Sequence, residues 1–102
     1  MAIYKEALEK LNEMLEDWNM MAKTSGDEGE EWAERFEKNF YEFIEVFEIY
    51  FYTLTPIPKS IEAAEKLPEI IQIQNKLPVP LQLNFENELE RMIDGETDQR
   101  FD

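Results

Sequence analysis

Residues 36–54, FEKNFYEFIEVFEIYFYTL, decide the fold of this 102-residue chain. Eight of these nineteen residues are aromatic, and four glutamates lie between them. Most of the rings recur at intervals of three and four residues, so they gather on one side of a helix and leave the glutamates on the other. The stretch therefore predicts a long helix with a buried aromatic face and an exposed acidic face.

This long helix is expected to run from about residue 28 to residue 54. Its apolar arc covers about 160° of an ideal helical wheel, which is wider than one neighbouring helix needs. A central position between several neighbours is therefore predicted. The residues expected on the main apolar stripe are Trp32, Phe36, Phe40, Phe43, Phe47, Tyr50 and Leu54.

The opposite side of the same helix mixes acidic residues with two tyrosines and an isoleucine. Such a mixture is unusual for a surface that meets only water, although single exposed rings are common. Either the C-terminal segment folds over this side, or the side binds a partner. We interpret it as a candidate protein-binding face made of Glu34, Glu37, Tyr41, Glu45, Glu48, Ile49 and Tyr52, with Glu42 among them.

Residues 2–23 show a second helical pattern, which suits an antiparallel partner for the long helix. Apolar residues occupy one arc, and the acidic residues, with Asp17 among them, are expected to face solvent. The intervening residues KTSGDEGE predict a tight turn, in which Gly26 adopts a left-handed conformation and Asp27 caps the next helix.

The last half of the chain is predicted to contain shorter helices. Thr55 or Ser60 can cap a helix that ends near Lys66. Residues 68–76 favour a helix that begins at Pro68, although alternation in IIQIQ and LQLNF also permits a hairpin across NKLPVP. An extended arm over residues 77–83, able to lie on a partner, and a last helix capped by Asn84 would follow. That last helix is expected to end at residues 94–95.

Together these elements predict an all-α fold, in which a long antiparallel helical hairpin is closed by two or three shorter helices as a small helical bundle. We expect a single helical domain over residues 1–95 and a frayed tail over residues 96–102. Because the long helix exceeds the diameter of a compact domain of this size, its aromatic end should overhang. A homodimer through the Phe43–Leu54 end would cover it.

The composition argues against catalysis and against cofactors. The chain has no cysteine and no histidine, which removes thiolate nucleophiles, the commonest metal ligand and the usual general base. The glutamates fall outside the apolar arcs, so no metal site is expected between the helices. We therefore expect no enzymatic activity, no cofactor and no bound metal.

The net charge of −14 is concentrated in residues 25–54, with −7, and residues 81–102, with −5. Such a charge disfavours nucleic acids and anionic membranes and favours a partner with a basic surface. The amino terminus lacks the apolar segment of a secretory signal, and no apolar run is long enough to span a membrane. A cytoplasmic location is therefore expected.

Two functions fit these features. The first is a small helical adaptor or regulator that binds another protein and has no catalytic activity. The second is an inhibitor whose acidic helix face mimics nucleic-acid phosphates, because carboxylates three and four residues apart lie about 5–6 Å from one another. Such an inhibitor would block a basic DNA- or RNA-binding protein.

Overall fold

The computed structural model describes residues 2–98, which contain helices and no strand. The helices are α1 (Ala2–Lys23), α2 (Gly26–Phe51), α3 (Ile61–Ala64), α4 (Pro68–Lys76) and α5 (Val79–Asp98). The predicted all-α fold with a long helical hairpin is confirmed. Contacts between residues divide the chain into two compact units, residues 1–53 and residues 54–102.

The first unit is the antiparallel hairpin of α1 and α2. Two aromatic contacts fix its register near opposite ends: Tyr4 to Tyr50, with ring centroids 5.0 Å apart, and Trp18 to Phe36, at 5.4 Å. Burial of these rings removes apolar surface from water, which is the dominant favourable term in folding. The buried apolar residues of this unit are Ala7, Leu11, Met14, Phe40, Phe43, Ile44, Phe47, Tyr50 and Phe51.

A polar contact inside this hairpin corrects one expectation. Asp17, which the helical wheel placed towards solvent, is only 4 % exposed and accepts a hydrogen bond from the Asn39 side-chain amide. Asp17 sits at the margin of the apolar arc, where a neighbouring helix can cover it. The amide of Asn39 supplies the hydrogen bond that a buried carboxyl group requires.

The turn between the two long helices follows its prediction in part. Gly26 has a φ of +65°, in the left-handed region, as expected. Helix α2 begins at Gly26 with Ser25 as the preceding cap residue, so Asp27 lies in the first turn and the predicted Asp27 cap is wrong. The helix ends at Phe51 because the Thr53 hydroxyl and amide both donate to the carbonyl oxygen of Tyr50.

The second unit contains the three shorter helices. The Ser60 hydroxyl accepts a hydrogen bond from the amide of Ala63 at 3.2 Å, which confirms Ser60 as the cap of α3. Pro68 begins α4 as predicted, since a first helical position needs no amide donor. The buried apolar residues of this unit are Ala64, Ile70, Ile73, Leu77, Leu81, Phe85, Leu89, Met92 and Ile93.

The predicted extended arm over residues 77–83 is wrong, as is the alternative hairpin. Helix α5 begins at Val79, and Pro80 occupies its first turn, where proline is tolerated. The side-chain amide of Gln82 donates hydrogen bonds to the backbone carbonyl oxygens of Gln74 and Leu77, at 3.1 and 3.2 Å. These bonds connect the start of α5 to the end of α4.

The limits of α5 also differ from those expected. Asn84 lies inside the helix and is not its cap, because the helix starts five residues earlier. At the other end α5 continues past Gly95 to Asp98. Residues 96–98 of the predicted frayed tail therefore belong to the helix, and residues 99–102 lie outside the described residues.

The two glycines at the start of α2 should respond oppositely to substitution by alanine. We expect Gly26→Ala to lower the free energy of unfolding by about 1 kcal/mol, because alanine is strained at positive φ while no atom lies within 4 Å of its Cβ. Gly29→Ala should raise it by about 0.5–1 kcal/mol, because its Cβ meets only ordinary contacts at 3.5 Å in a helix. Urea unfolding followed by circular dichroism measures both, and equal signs would contradict the assigned conformations.

The contact between Asp17 and Asn39 gives a second stability prediction. Asn39→Ala should lower the free energy of unfolding by about 1.5–3 kcal/mol, because it leaves a buried carboxyl group without this donor. Asn19→Ala, at an exposed position of α1, is the matched control, and we expect it to change the free energy of unfolding by less than about 0.5 kcal/mol. Equal effects of the two substitutions in the same unfolding measurement would show that the contact does not stabilise the hairpin.

Candidate protein-binding face on helix α2

The seven predicted site residues lie on one side of α2 and its cap residue. On an ideal helix they fall within an arc of about 120° and extend over about 27 Å. We name this surface the acidic stripe and define it by Glu34, Glu37, Tyr41, Glu45, Glu48, Ile49 and Tyr52. Tyr52 joins it because the residue keeps helical dihedral angles, φ −77° and ψ −4°, after the last helical residue.

The exposure of the acidic stripe differs from residue to residue. Tyr41 is 52 % exposed and Ile49 is 58 % exposed. Glu34, Glu37 and Glu45 are exposed, whereas Glu48 and Tyr52 are half-buried. The stripe therefore presents two large apolar side chains to solvent, with a carboxylate between them.

The tyrosines of the acidic stripe rest on core rings. The Tyr41 ring meets Phe40 edge-on, with centroids 5.5 Å apart and an interplanar angle of 77°. Tyr52 meets Phe51 in the same way, at 5.6 Å and 75°. Phe40 and Phe51 are buried, so each tyrosine has a ring of the core as one of its neighbours.

Glu42, which the sequence places among the stripe residues, contacts α1 instead and is not part of the acidic stripe. Its Oε1 atom lies 3.4 Å from the Lys10 Nζ atom on α1, and its Oε2 atom lies 4.0 Å from the Lys38 Nζ atom. Lys10 also pairs with Glu13, at 3.8 Å. These part-exposed pairs orient side chains more than they stabilise the fold.

The basic residues nearest to the acidic stripe have partners of their own. Arg35 stacks over the Trp32 ring at 4.7 Å, and Lys38 pairs with Glu42. In the part of the chain that the structure describes, no ion pair involves Glu34, Glu37 or Glu45. Their charges are therefore not neutralised within the hairpin.

The aromatic end of α2 does not overhang as the sequence suggested. Phe43, Phe47 and Phe51 are fully buried within the single chain, and Tyr50 is 4 % exposed. These rings offer no surface to a second copy. A homodimer through the Phe43–Leu54 end stays a prediction, and Ile49 is the exposed apolar residue that it would have to use.

The ring geometry brings out a tandem repeat that a search for apolar spacing alone misses. Residues 31–41, EWAERFEKNFY, are followed directly by residues 42–52, EFIEVFEIYFY. Six of the eleven positions are identical, in the shared pattern Glu-x-x-Glu-x-Phe-Glu-x-x-Phe-Tyr. Aligning the segment with itself at an offset of eleven residues would have found it.

The two copies of the repeat have matching ring arrangements. The first pair of phenyl rings, Phe36 and Phe40, has centroids 6.1 Å apart at 32°, and the equivalent pair, Phe47 and Phe51, has 6.3 Å and 36°. The edge-on contacts of Tyr41 and Tyr52 given above also match. The repeat is therefore structural as well as sequential.

Metal sites, membrane-spanning helices and similar known proteins were also sought. Among the side chains that the structure describes, no group of three or more acidic, histidine or cysteine residues is placed to hold a metal ion. None of the helices in residues 2–98 is both long and apolar enough to cross a membrane. Comparison with protein-family models, curated proteins and solved structures finds no match.

Stability measurements should separate the acidic stripe from the core behind it. Phe47→Ala should lower the free energy of unfolding by about 3–5 kcal/mol, because the ring is fully buried. Tyr41→Ser and Ile49→Ser should each change it by less than about 1 kcal/mol, because both side chains are exposed. Thermal or urea unfolding measures the difference, and a large loss for Tyr41→Ser or Ile49→Ser would place these residues in the core.

Proposed function

We propose that this protein is a non-catalytic adaptor or regulator that binds a basic protein surface through the acidic stripe. The observation that carries the proposal is the exposure of Tyr41 and Ile49 beside the carboxylates of Glu34, Glu37 and Glu45, which form no ion pair among the described residues. Exposed aromatic and aliphatic side chains on a rigid element are common contact residues in protein interfaces.

The two kinds of residue in the acidic stripe would make different contributions to binding. Burial of Tyr41 and Ile49 against a partner would supply affinity, because both side chains leave water. The carboxylates of Glu34, Glu37 and Glu45 would speed encounter and select a partner of opposite charge. The partner that fits is a protein surface on which lysines or arginines surround an apolar patch.

The distribution of charge supports a protein partner over the other ligands. Residues 25–54 carry a net charge of −7, which repels nucleic acids and anionic membranes. The cytoplasm remains the compartment expected from the sequence, because binding through an acidic surface requires neither disulfide bonds nor a membrane.

Mimicry of nucleic-acid phosphates is the second candidate function. The helical spacing of Glu34, Glu37, Glu45 and Glu48 supports it, because neighbouring carboxylates lie about 5–6 Å apart. Tyr41 interrupts this row and Ile49 borders it, and both place apolar surface where a phosphate mimic needs charge. The adaptor proposal accounts for these two residues, so we prefer it.

Charge removal tests the proposal directly. A stripe variant with Glu34, Glu37, Glu45 and Glu48 changed to Gln should reduce capture of proteins from the native host by about tenfold or more, because steering and pairing are lost together. A control variant with Glu9, Glu16, Glu62 and Glu90 changed to Gln removes the same charge from other exposed positions and should bind normally. Quantitative mass spectrometry of the captured proteins measures both, and equal losses would contradict binding through the stripe.

A second pair of changes separates the adaptor from the mimic. A variant with Tyr41 and Ile49 both changed to Ser should lose the captured partner if apolar burial supplies the affinity. At about 0.5 M salt, where exposed charges are screened within about 4 Å, wild-type capture should then fall to about the level of the four-glutamine variant and no further, because apolar burial is not screened. Retention of the partner by the variant with Tyr41 and Ile49 changed to Ser, together with complete loss of wild-type capture at high salt, would favour phosphate mimicry.

A further inference from the structure

The tandem repeat divides the acidic stripe into two halves with the same residue types, of which the second is less exposed, because Glu48 and Tyr52 are half-buried whereas Glu37 and Tyr41 are exposed. The first half contains Glu34, Glu37 and Tyr41, and the second half contains Glu45, Glu48 and Tyr52. Each half therefore presents two carboxylates three residues apart, followed four residues later by a tyrosine that rests edge-on against a buried phenyl ring. Six of the seven stripe residues belong to this repeated set.

The relation between the two halves is almost a pure translation. Eleven residues of an ideal helix advance about 16.5 Å and complete three turns with about 20° to spare. The second half thus lies along the same face as the first and repeats its chemistry at a fixed distance. A partner that matches one half can match the other only if its own side chains repeat at that distance.

We propose that the acidic stripe is a two-part docking surface for one basic α-helix of the partner, in which cationic and apolar side chains recur every eleven residues. The inference rests on the proposed function and specifies the partner's secondary structure and spacing. Charge complementarity selects the occupant, because Glu34 and Glu37 in the first half and Glu45 in the second form no ion pair among the described residues and favour lysine or arginine opposite them.

A helix fits this repeat better than an extended chain does. Two helices with the same eleven-residue period share both the advance of about 16.5 Å and the drift of about 20°, so their contacts stay in phase. An extended segment covers the same distance in about five residues, an odd number that turns alternate side chains to opposite sides. Docking of an amphipathic helix on a helical face is also a common mode of protein recognition.

The side chains of each half suit this occupant. Arginine or lysine at positions three or four residues apart on the partner could pair with Glu34 and Glu37, and again with Glu45 and Glu48. The rings of Tyr41 and Tyr52 could contact the aliphatic stem or the guanidinium group of an arginine. Two weak contacts joined on one rigid helix then act together, so that each raises the effective concentration of the other.

One difference between the halves gives the surface a direction. Lys38 in the first copy of the repeat corresponds to Ile49 in the second. Lys38 is held near Glu42, whereas Ile49 is 58 % exposed. The second half is therefore the more apolar, and the partner helix should place its most apolar end over Ile49.

A pair of synthetic peptides tests the inference. Each is an alanine-rich helix of about 26 residues that carries two arginine-arginine-leucine sets, and the in-phase peptide spaces the sets by eleven residues. The out-of-phase peptide has two alanines moved from its ends to the middle, so composition and charge are unchanged while the second set points about 160° away from the in-phase direction. Both peptides are made in both sequence directions, because the orientation of the helix on the stripe is not fixed in advance.

Isothermal titration calorimetry at about 150 mM salt, where charges beyond about 8 Å are screened, compares the peptides on the full-length protein. The in-phase peptide should bind at least about tenfold more tightly in its preferred direction, because only it engages both halves. Changing Glu45 and Glu48 to Gln should remove that advantage and leave the weaker affinity of the out-of-phase peptide nearly unchanged.

Two outcomes would overturn the inference. Equal affinities for the two peptides, or no binding by either, would show that the repeat does not set the spacing of a helical ligand. Failure of the proposed function looks different, since the four-glutamine stripe variant would then capture host proteins as well as the wild type does. The inference can therefore fail while the adaptor function stands.

Discussion

The packing of the phenyl rings of α2 against α1 is the constraint on which the rest of the first unit depends. The contacts of Tyr4 with Tyr50 and of Trp18 with Phe36 fix the rotation of α2 at two points about 21 Å apart along its axis. Because the rotation is fixed, the side of α2 opposite the rings must face outward. Tyr41 and Ile49 are exposed because they lie on the side of α2 opposite the buried rings.

The same eleven-residue repeat accounts for both sides of this helix. Its phenylalanines, Phe36 and Phe47 in one position and Phe40 and Phe51 in another, lie on the core side, whereas both of its tyrosines and four of its six glutamates belong to the stripe. The core requires regular ring spacing, so any duplication that preserves the core also duplicates the surface. The repetition of the surface thus needs no structural requirement beyond that of the core.

Much of the hairpin could be predicted from the sequence because its apolar spacing is dense and regular. The burial of Asp17 could not, since it depends on an amide donor 22 residues away that no local pattern reveals. The predicted arm over residues 77–83 is wrong because α5 begins at Val79 and takes Pro80 into its first turn, where proline is tolerated. The stripe residues were predictable from the wheel, whereas the position of Glu42 depended on Lys10 of another helix.

The claim that rings face inward while the acidic stripe faces outward can be measured in solution by hydroxyl-radical footprinting with mass spectrometry. Tyr41 and Ile49 should be oxidised at rates approaching those of the unfolded chain, whereas Phe43, Phe47 and Tyr50 should be strongly protected. Rapid oxidation of the phenylalanines, or protection of Tyr41 and Ile49 in the isolated protein, would contradict the assigned rotation of α2 and with it the binding surface.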